Sequence, residues 1–550
     1  MTEDIRWSRE ADVVVLGSGG AAMTAAIAAH DFGAPDVVIL EKTGMVGGTT
    51  AMSGGMLWIP GNHHQIEAGI AEDDEDVVAY LDALAPGQLD PDTLMAFMET
   101  GPEMIRWFEE HTPVRFHAFA DFPDYQPYMP GAKPDGGRSL DNEAFSFARL
   151  GKWAARVNPS KMAYPLRGSL MEAVTGALDE ALLATREAGD YRGLGQALAG
   201  SLFLGVVERG IPVEFETRAR RLVKAEGRVI GVIAEDGDGR EIAVRARRGV
   251  VIATGGFEWN EALVRTFLRG PLTGPVSVPE NEGDGLLMAM EAGAQLGNMQ
   301  HAFWMQSTLE FEPQHRDAKP NYMLGSDERA RPGAILVNRK GRRFVNEAAN
   351  YNAVGKALHA FDAGTHSYAN LPYWLIIDQR YRDRYPTFNT PPGGPVPSYM
   401  MQGDTLEELA ETAGIDPQGL AATVARFNAM VRQGRDDDFQ RGENSYDNFY
   451  MWGDMAYDPP WRTLGEIGEG PFFAVKMEAG ALGTAGGPRT NENAQVVDWN
   501  GDAIPGLYAA GNAMAAVLGE AYGGAGGTLG PGMTFGFIAG RHLGSHLPNR

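Results

Sequence analysis

Gly17-Ser-Gly-Gly-Ala-Ala22 is the first run in the 550-residue chain whose spacing could do chemistry. It fits G-x-G-x-x-G/A. Gly17 permits a tight turn, Gly19 lets a pyrophosphate approach the backbone, and Ala22 takes the close-packing position. Gly20 and Ala21 open a small-residue helix whose amino terminus faces the anion. Glu41 closes the next apolar run, where an acid can bind a ribose hydroxyl. Directly after it, Lys42 to Gly55 is dense in glycine and hydroxyls. Lys42, Gly48, Thr49, Thr50, Ser53, Gly54 and Gly55 therefore form a candidate wall that can approach a flat ligand closely. Ala253-Thr254-Gly255, at the end of another apolar run, reaches the same ligand. The pattern predicts a dinucleotide site.

The elements that must carry these residues follow from periodicity. Val13–Leu16 and Val37–Leu40 are continuous apolar runs, as in strands buried on both faces of a parallel sheet. Asp73 to Val114 and Ser169 to Gly210 read as helices. Between them, Phe116 to Ser139 is rich in aromatics, Pro and Gly, an irregular lid-like segment. Ile211–Phe215 is a short strand, and Arg221 to Ala246 gives three ribbon strands. The Gly-x-Gly at 237–239 is an acidic turn with no small-residue helix behind it. Arg248–Gly256 returns to a buried strand. From 276 to 477 the texture becomes α+β: a helix after Gly283, a hairpin over Pro332–Phe344, a strand at Pro372–Asp378 and helix from Thr405 to Arg432. Glycine-rich sequence then resumes, with a helix from Met533 to His542. The expected fold is α/β. A discontinuous Rossmann-like domain (1–275 and 478–550) has an α+β domain inserted at 276–477.

Composition narrows the chemistry. A net charge of −25 argues against nucleic acid as a partner. With no cysteine, disulfides, iron–sulfur clusters and thiolate zinc sites are excluded. His63-His64 and His301 lack further ligands nearby in sequence, so no metal site is expected. Arg342-Arg343 reads as the exposed arginines of a hairpin turn. No signal peptide core or membrane span is visible, and the expected compartment is the cytoplasm.

Gly17–Glu41, Gly47–Gly55, Ala253–Gly256 and Gly506-Leu-Tyr-Ala-Ala-Gly-Asn512 together resemble flavoproteins of the fumarate reductase/succinate dehydrogenase type. Within that group, Gly341–Tyr351, Gly483–Arg489 and Ala521–Gly536 resemble the 3-ketosteroid Δ1-dehydrogenases. The resemblance implies FAD, an inserted catalytic domain, a steroid ketone as substrate and an external electron acceptor. It implies flavin contacts from Gly511, Asn512, Glu520 and Leu529. Tyr522 and the amide of Gly526 would polarise the ketone as an oxyanion-hole pair. Tyr351 matches the proton-abstracting tyrosine, assisted by Tyr125 or Tyr128, which spacing does not separate. A hydride would pass to flavin N5. A Δ4-type ketosteroid dehydrogenase and an enzyme of smaller cyclic ketones are the near alternatives. A fumarate- or urocanate-type reductase fits less well, because Asn512 to Gly540 holds no Lys, Arg or His to meet a dianion. A flavin carrier without turnover would need no substrate pocket.

Overall fold

The computed structural model describes residues 5–546, apart from 160–165, 312–318, 326, 450–452 and 469. Strand Arg9–Leu16 lies between Val37–Leu40 and Glu241–Ile252, parallel to both, and Ile252 pairs in turn with Ala509 of strand Ala503–Ala509. Leu16, Leu40, Ile252 and Ala509 thus stand in one row across the sheet. The turns that follow them, at Gly17, Glu41, Ala253 and Gly511, emerge at one edge. Ligands of open α/β sheets bind outside the carboxyl ends of the strands. Val13–Leu16 and Val37–Leu40 are buried throughout, as their unbroken apolar sequences require.

Helix Gly20–Asp31 packs lengthwise against the carboxyl-terminal helix Leu529–Ser545. The approach is close because bare backbone faces backbone. A Cβ added to Gly536 would stand 2.4 Å from the Ala21 carbonyl, and one on Gly540 2.3 Å from that of Ala25. The latter helix starts four residues earlier than its sequence suggests. Pro531 is tolerated because first-turn amides need no intrahelical partner.

The second sheet is antiparallel. Its order is Asn321–Leu324, Ala302–Phe311, Phe472–Thr484, Tyr373–Asp378, Ala334–Asn338, with Met400–Gly403 also on the long Phe472–Thr484 strand. One face buries Ile335, Val337 and Ile376 under helices Leu406–Ala413 and Pro417–Gln433; the other buries Leu336, Leu375 and Ile377. The polypeptide returns to the first sheet with Gln495–Val497 and Ala503–Ala509, so that sheet is built from both ends of the chain.

Two expectations are corrected. Ala334–Asn338 is no arm of a hairpin: it pairs with Tyr373–Asp378, while Arg343 turns inward to bond Glu347 and Asp436 instead of lying exposed. The last ribbon strand and the buried strand after Arg248 are one twelve-residue strand, Glu241–Ile252, antiparallel to the ribbon at its start and parallel to Arg9–Leu16 along its length.

Candidate active site

A cavity of about 1390 Å³ opens at the common strand edge and runs to the second sheet. Its first half is walled by Gly17, Gly19, Gly20, Ala21, Glu41, Lys42, Gly48, Thr49, Thr50, Ser53, Gly54, Gly55, Ala253, Thr254, Gly255, Gly511, Asn512 and Leu529. Ala22 lies behind this wall, fully buried in the helix–sheet core. Gly17 has φ +95°, and a Cβ there would stand 2.5 Å from the Ala253 carbonyl, so the turn is open only to glycine. Glu41 accepts from Ser18 Oγ at 2.5 Å and from the Thr43 amide at 2.8 Å, which fixes its carboxylate at the rim. Burial pushes its pKa up, against these bonds. Lys42 pairs with Asp284 at 2.9 Å. Thr49 Oγ accepts from Asn281, whose amide also bonds buried Glu258. Glu258 and Asn281 carry no sequence signal, because they meet the Thr49 loop across more than 200 positions.

The second half is aromatic. Tyr125, Tyr351 and Tyr522 line it and form one chain of hydroxyls. Tyr125 Oη donates to Tyr351 Oη at 3.1 Å, and Tyr351 Oη donates to Tyr522 Oη at 2.8 Å. Thr528 Oγ donates to Tyr522 as well, at 3.2 Å, a contact the sequence reading missed although Thr528 lies inside the glycine-rich stretch it singled out. The rings of Tyr125 and Tyr522 are stacked, with centroids 5.4 Å apart. Burial holds all three phenols above the ordinary value near 10, so each is neutral at rest. The alternative Tyr128 is 66% exposed, bonds Gln126 and does not line the cavity.

Three elements set this constellation. Asn350 caps helix Tyr351–Ala357 through the Ala353 amide and donates to the Tyr125 carbonyl, tying one tyrosine to another. The Gly523 carbonyl accepts from the Tyr125 amide and from Tyr80 Oη. The loop after Tyr522 lies flat on Trp58, whose Nε1 donates to Asp124, itself held by Arg138 at 2.7 Å. Gly526 has φ +96°, and a Cβ there would meet the Leu57 backbone at 2.5 Å. Within the irregular Phe116–Ser139 stretch, Phe119, Phe122 and Tyr125 turn inward and are buried, while residues 126–135, with Tyr128, lie at the surface.

Glu520 does not reach the cavity. Lys356 at 3.2 Å, with His301 and Arg269 further off, draws its carboxylate to the outer side of the loop. His63 and His64 have more company than their sequence suggests: Glu109, from helix Pro91–His111, stands against both.

The FAD-binding domain family matches residues 12–529. The chain belongs to this family of flavoproteins. Among its relatives, 4-oxocyclohexanecarboxylate 2-dehydrogenase of Sinomonas cyclohexanicum is 40% identical, covering 97% of this chain and 92% of the relative. The 3-oxosteroid 1-dehydrogenase of Mycobacterium tuberculosis is 38% identical, covering 98% and 100%. The crystal structure of 3-ketosteroid Δ1-dehydrogenase from Sterolibacterium denitrificans, in complex with 1,4-androstadiene-3,17-dione, superposes with a TM-score of 0.90 at 34% identity, covering 98% and 100%. The resemblance to ketosteroid dehydrogenases is thereby borne out, and the protein is an FAD-dependent oxidoreductase. The cavity suits the cofactor on its own evidence. Thr254 Oγ is buried on its wall without a partner among the described residues, and Gly48 and Gly54 face open space where a side chain would stand. Among the described residues no helix is long and apolar enough to cross a membrane.

Proposed function

We propose that the protein desaturates the ketone-bearing ring of a 3-ketosteroid between the α and β carbons, giving a 1-ene. The observation that carries this reading is the hydroxyl chain Tyr125–Tyr351–Tyr522 beside Gly526 in an aromatic cavity. Tyr522 accepts two hydrogen bonds, so its own hydrogen is free to point at a ketone oxygen. The Gly526 amide is the second donor of the pair, and polarisation by both makes the α-proton acidic. In the reactive form Tyr351 has lost its proton and no longer donates to Tyr522; Thr528 still does, which keeps the Tyr522 hydrogen directed at the ketone, while Tyr125 donates to the Tyr351 phenolate that takes the α-proton. The Gly17–Glu41 wall and the Lys42–Gly55 loop would hold FAD, which would supply the hydride acceptor. Gly511, Asn512 and Leu529 complete its site. An external acceptor then restores the oxidised enzyme.

A second reading rests on the 40% identical relative: a carboxylated cyclohexanone undergoes the same α,β-desaturation, and Arg331 on the cavity wall offers a cation to its carboxylate. Anaerobic mixing with either compound, followed by flavin absorbance, tests both. Rapid bleaching by a 3-ketosteroid and slow or no bleaching by 4-oxocyclohexanecarboxylate is expected. The reverse order assigns the smaller substrate, and bleaching by neither removes the desaturase assignment.

A further inference from the structure

We propose that His63, His64 and Glu109 bind one divalent transition-metal ion of the zinc type, clamping the short helix His63–Glu67 to the long helix Pro91–His111. The cluster lies outside the cavity lining, and the reaction above makes no use of it. Both imidazoles present Nε2 to a single carboxylate: His63 at 3.0 Å from one oxygen, His64 at 2.9 Å from the other. Successive residues of a helix point about 100° apart, from 3.6 residues per turn, so this convergence is not a default of the backbone. The rings come within 4.0 Å, centroid to centroid.

The donor set has the right chemistry. Two imidazole nitrogens and one carboxylate oxygen are ligands that zinc accepts at about 2.0–2.2 Å, with a fourth position left for water. Tetrahedral geometry at those bond lengths separates ligand atoms by about 3.3–3.5 Å. The three ligand atoms already lie within 4.8 Å of one another, and Glu109 Oε2 stands 3.0 Å from both imidazole nitrogens. The two nitrogen–oxygen separations would each open by about 0.3–0.5 Å to admit the ion, and the nitrogen–nitrogen separation already lies within 4.8 Å. One dication can be shared by all three groups at once, which no single hydrogen bond achieves.

The supports are built in. Asn62, wholly buried, caps the short helix by accepting from the Gln65 amide and donates to the Ile59 carbonyl. Gln65 in turn donates to Glu72. Glu109 Oε1 accepts from the Phe116 amide at 2.8 Å, the kind of outer bond that orients a ligating carboxylate. The three side chains keep 12–20% of their surface exposed, enough for entry from solvent. The clamp would brace the segment that follows Leu57–Trp58, the strand beneath Gly524 and Gly526.

The test uses FAD-loaded enzyme, stripped with a chelator and titrated with ZnCl2 by calorimetry, beside MgCl2 as the oxygen-preferring control. One zinc per chain, a raised thermal midpoint and no matching magnesium event are expected. His64→Gln and Glu109→Gln should each weaken zinc binding about tenfold or more while flavin content and substrate-driven bleaching stay as in the wild type. If either variant fails to hold FAD, CoCl2 added to the wild type alone decides. Intense visible bands of a low-symmetry nitrogen/oxygen site support the clamp, and their absence overturns it. Zinc binding that is equal in wild type and variants, or no saturable binding, overturns it too.

Discussion

The Tyr522 oxygen receives hydrogens from Tyr351 and Thr528 and keeps one of its own to give. Tyr522→Phe removes that donor from the reacting ketone and strands two others. An oxyanion-hole donor is worth about 2.7–4 kcal/mol of barrier, so kcat should fall about 10²–10³-fold. Stranded donors cost about 1–3 kcal/mol of stability. Urea unfolding and single-turnover bleaching on the same preparation separate the two effects; a variant that bleaches at the wild-type rate would remove Tyr522 from the chemistry. Tyr351 raises a different question, since a neutral phenol is a poor base and burial holds its pKa well above 10. The active fraction is the phenolate, and it grows as pH rises toward that raised value. The bleaching rate should therefore climb with pH across the neutral and mildly alkaline range, about tenfold per unit where chemistry limits. A rate independent of pH from 6 to about 9 would contradict a tyrosine base.

The helices Gly20–Asp31 and Leu529–Ser545 work as one block, because Gly536, Gly540 and Gly544 leave no side chain between them. Gly540→Val would push a branched side chain into the Ala25 carbonyl and the Ala28 methyl, which a bare Cβ already meets at 2.3 and 2.7 Å. Overpacking of this kind costs about 1–3 kcal/mol. The displaced helix begins at Gly20, in the cofactor wall, so FAD should dissociate more readily as well as the fold melting earlier. Fluorescence of released flavin measures the first, and tight FAD binding in the variant would show that the block does not set the wall. The small residues of both helices are legible in sequence, as are the two apolar strands and the Gly17 turn, because each is a local pattern with one structural solution. Arg343 shows the opposite case. Glu347 is only four residues on, but the other partner, Asp436, is 93 residues away, and a nearby acid alone does not tell an exposed turn from a buried ion pair. Phe116–Ser139 is legible only as an irregular backbone: Pro, Gly and aromatics do not say which of its side chains turn inward, as Tyr125 does, and which stay out, as Tyr128 does. The resemblance implies a flavin contact for Glu520, yet Lys356 and His301, brought in by other elements, decide its direction.

At the scale of the whole molecule, the cavity is the seam between two sheets. Its walls come from residues as far apart as Leu16 and Met533, and from the second sheet at Met305 and Leu482. A ligand in that seam touches segments of both sheets at once, beside their shared contacts such as Phe303 on Tyr522. FAD binds the folded chain and not the unfolded one, so it stabilises by RT ln(1 + [FAD]/Kd), about 2.7 kcal/mol at a hundredfold excess over Kd. A chain of this size unfolds in more than one step, and the steps should respond unequally. The sheet that carries Gly17, Glu41 and Ala253 should lose its thermal transition to lower temperature when FAD is removed, and regain it in proportion to the logarithm of added FAD. The Ala334–Asn338 and Tyr373–Asp378 strands, with helices Leu406–Ala413 and Pro417–Gln433 and the buried Arg343–Glu347–Asp436 ion pairs, have their own core and should move less. Scanning calorimetry of the apoprotein across an FAD series measures both. Equal shifts in every transition would mean that the two sheets unfold as one unit, and no shift at all would mean that the cavity is not where the cofactor binds.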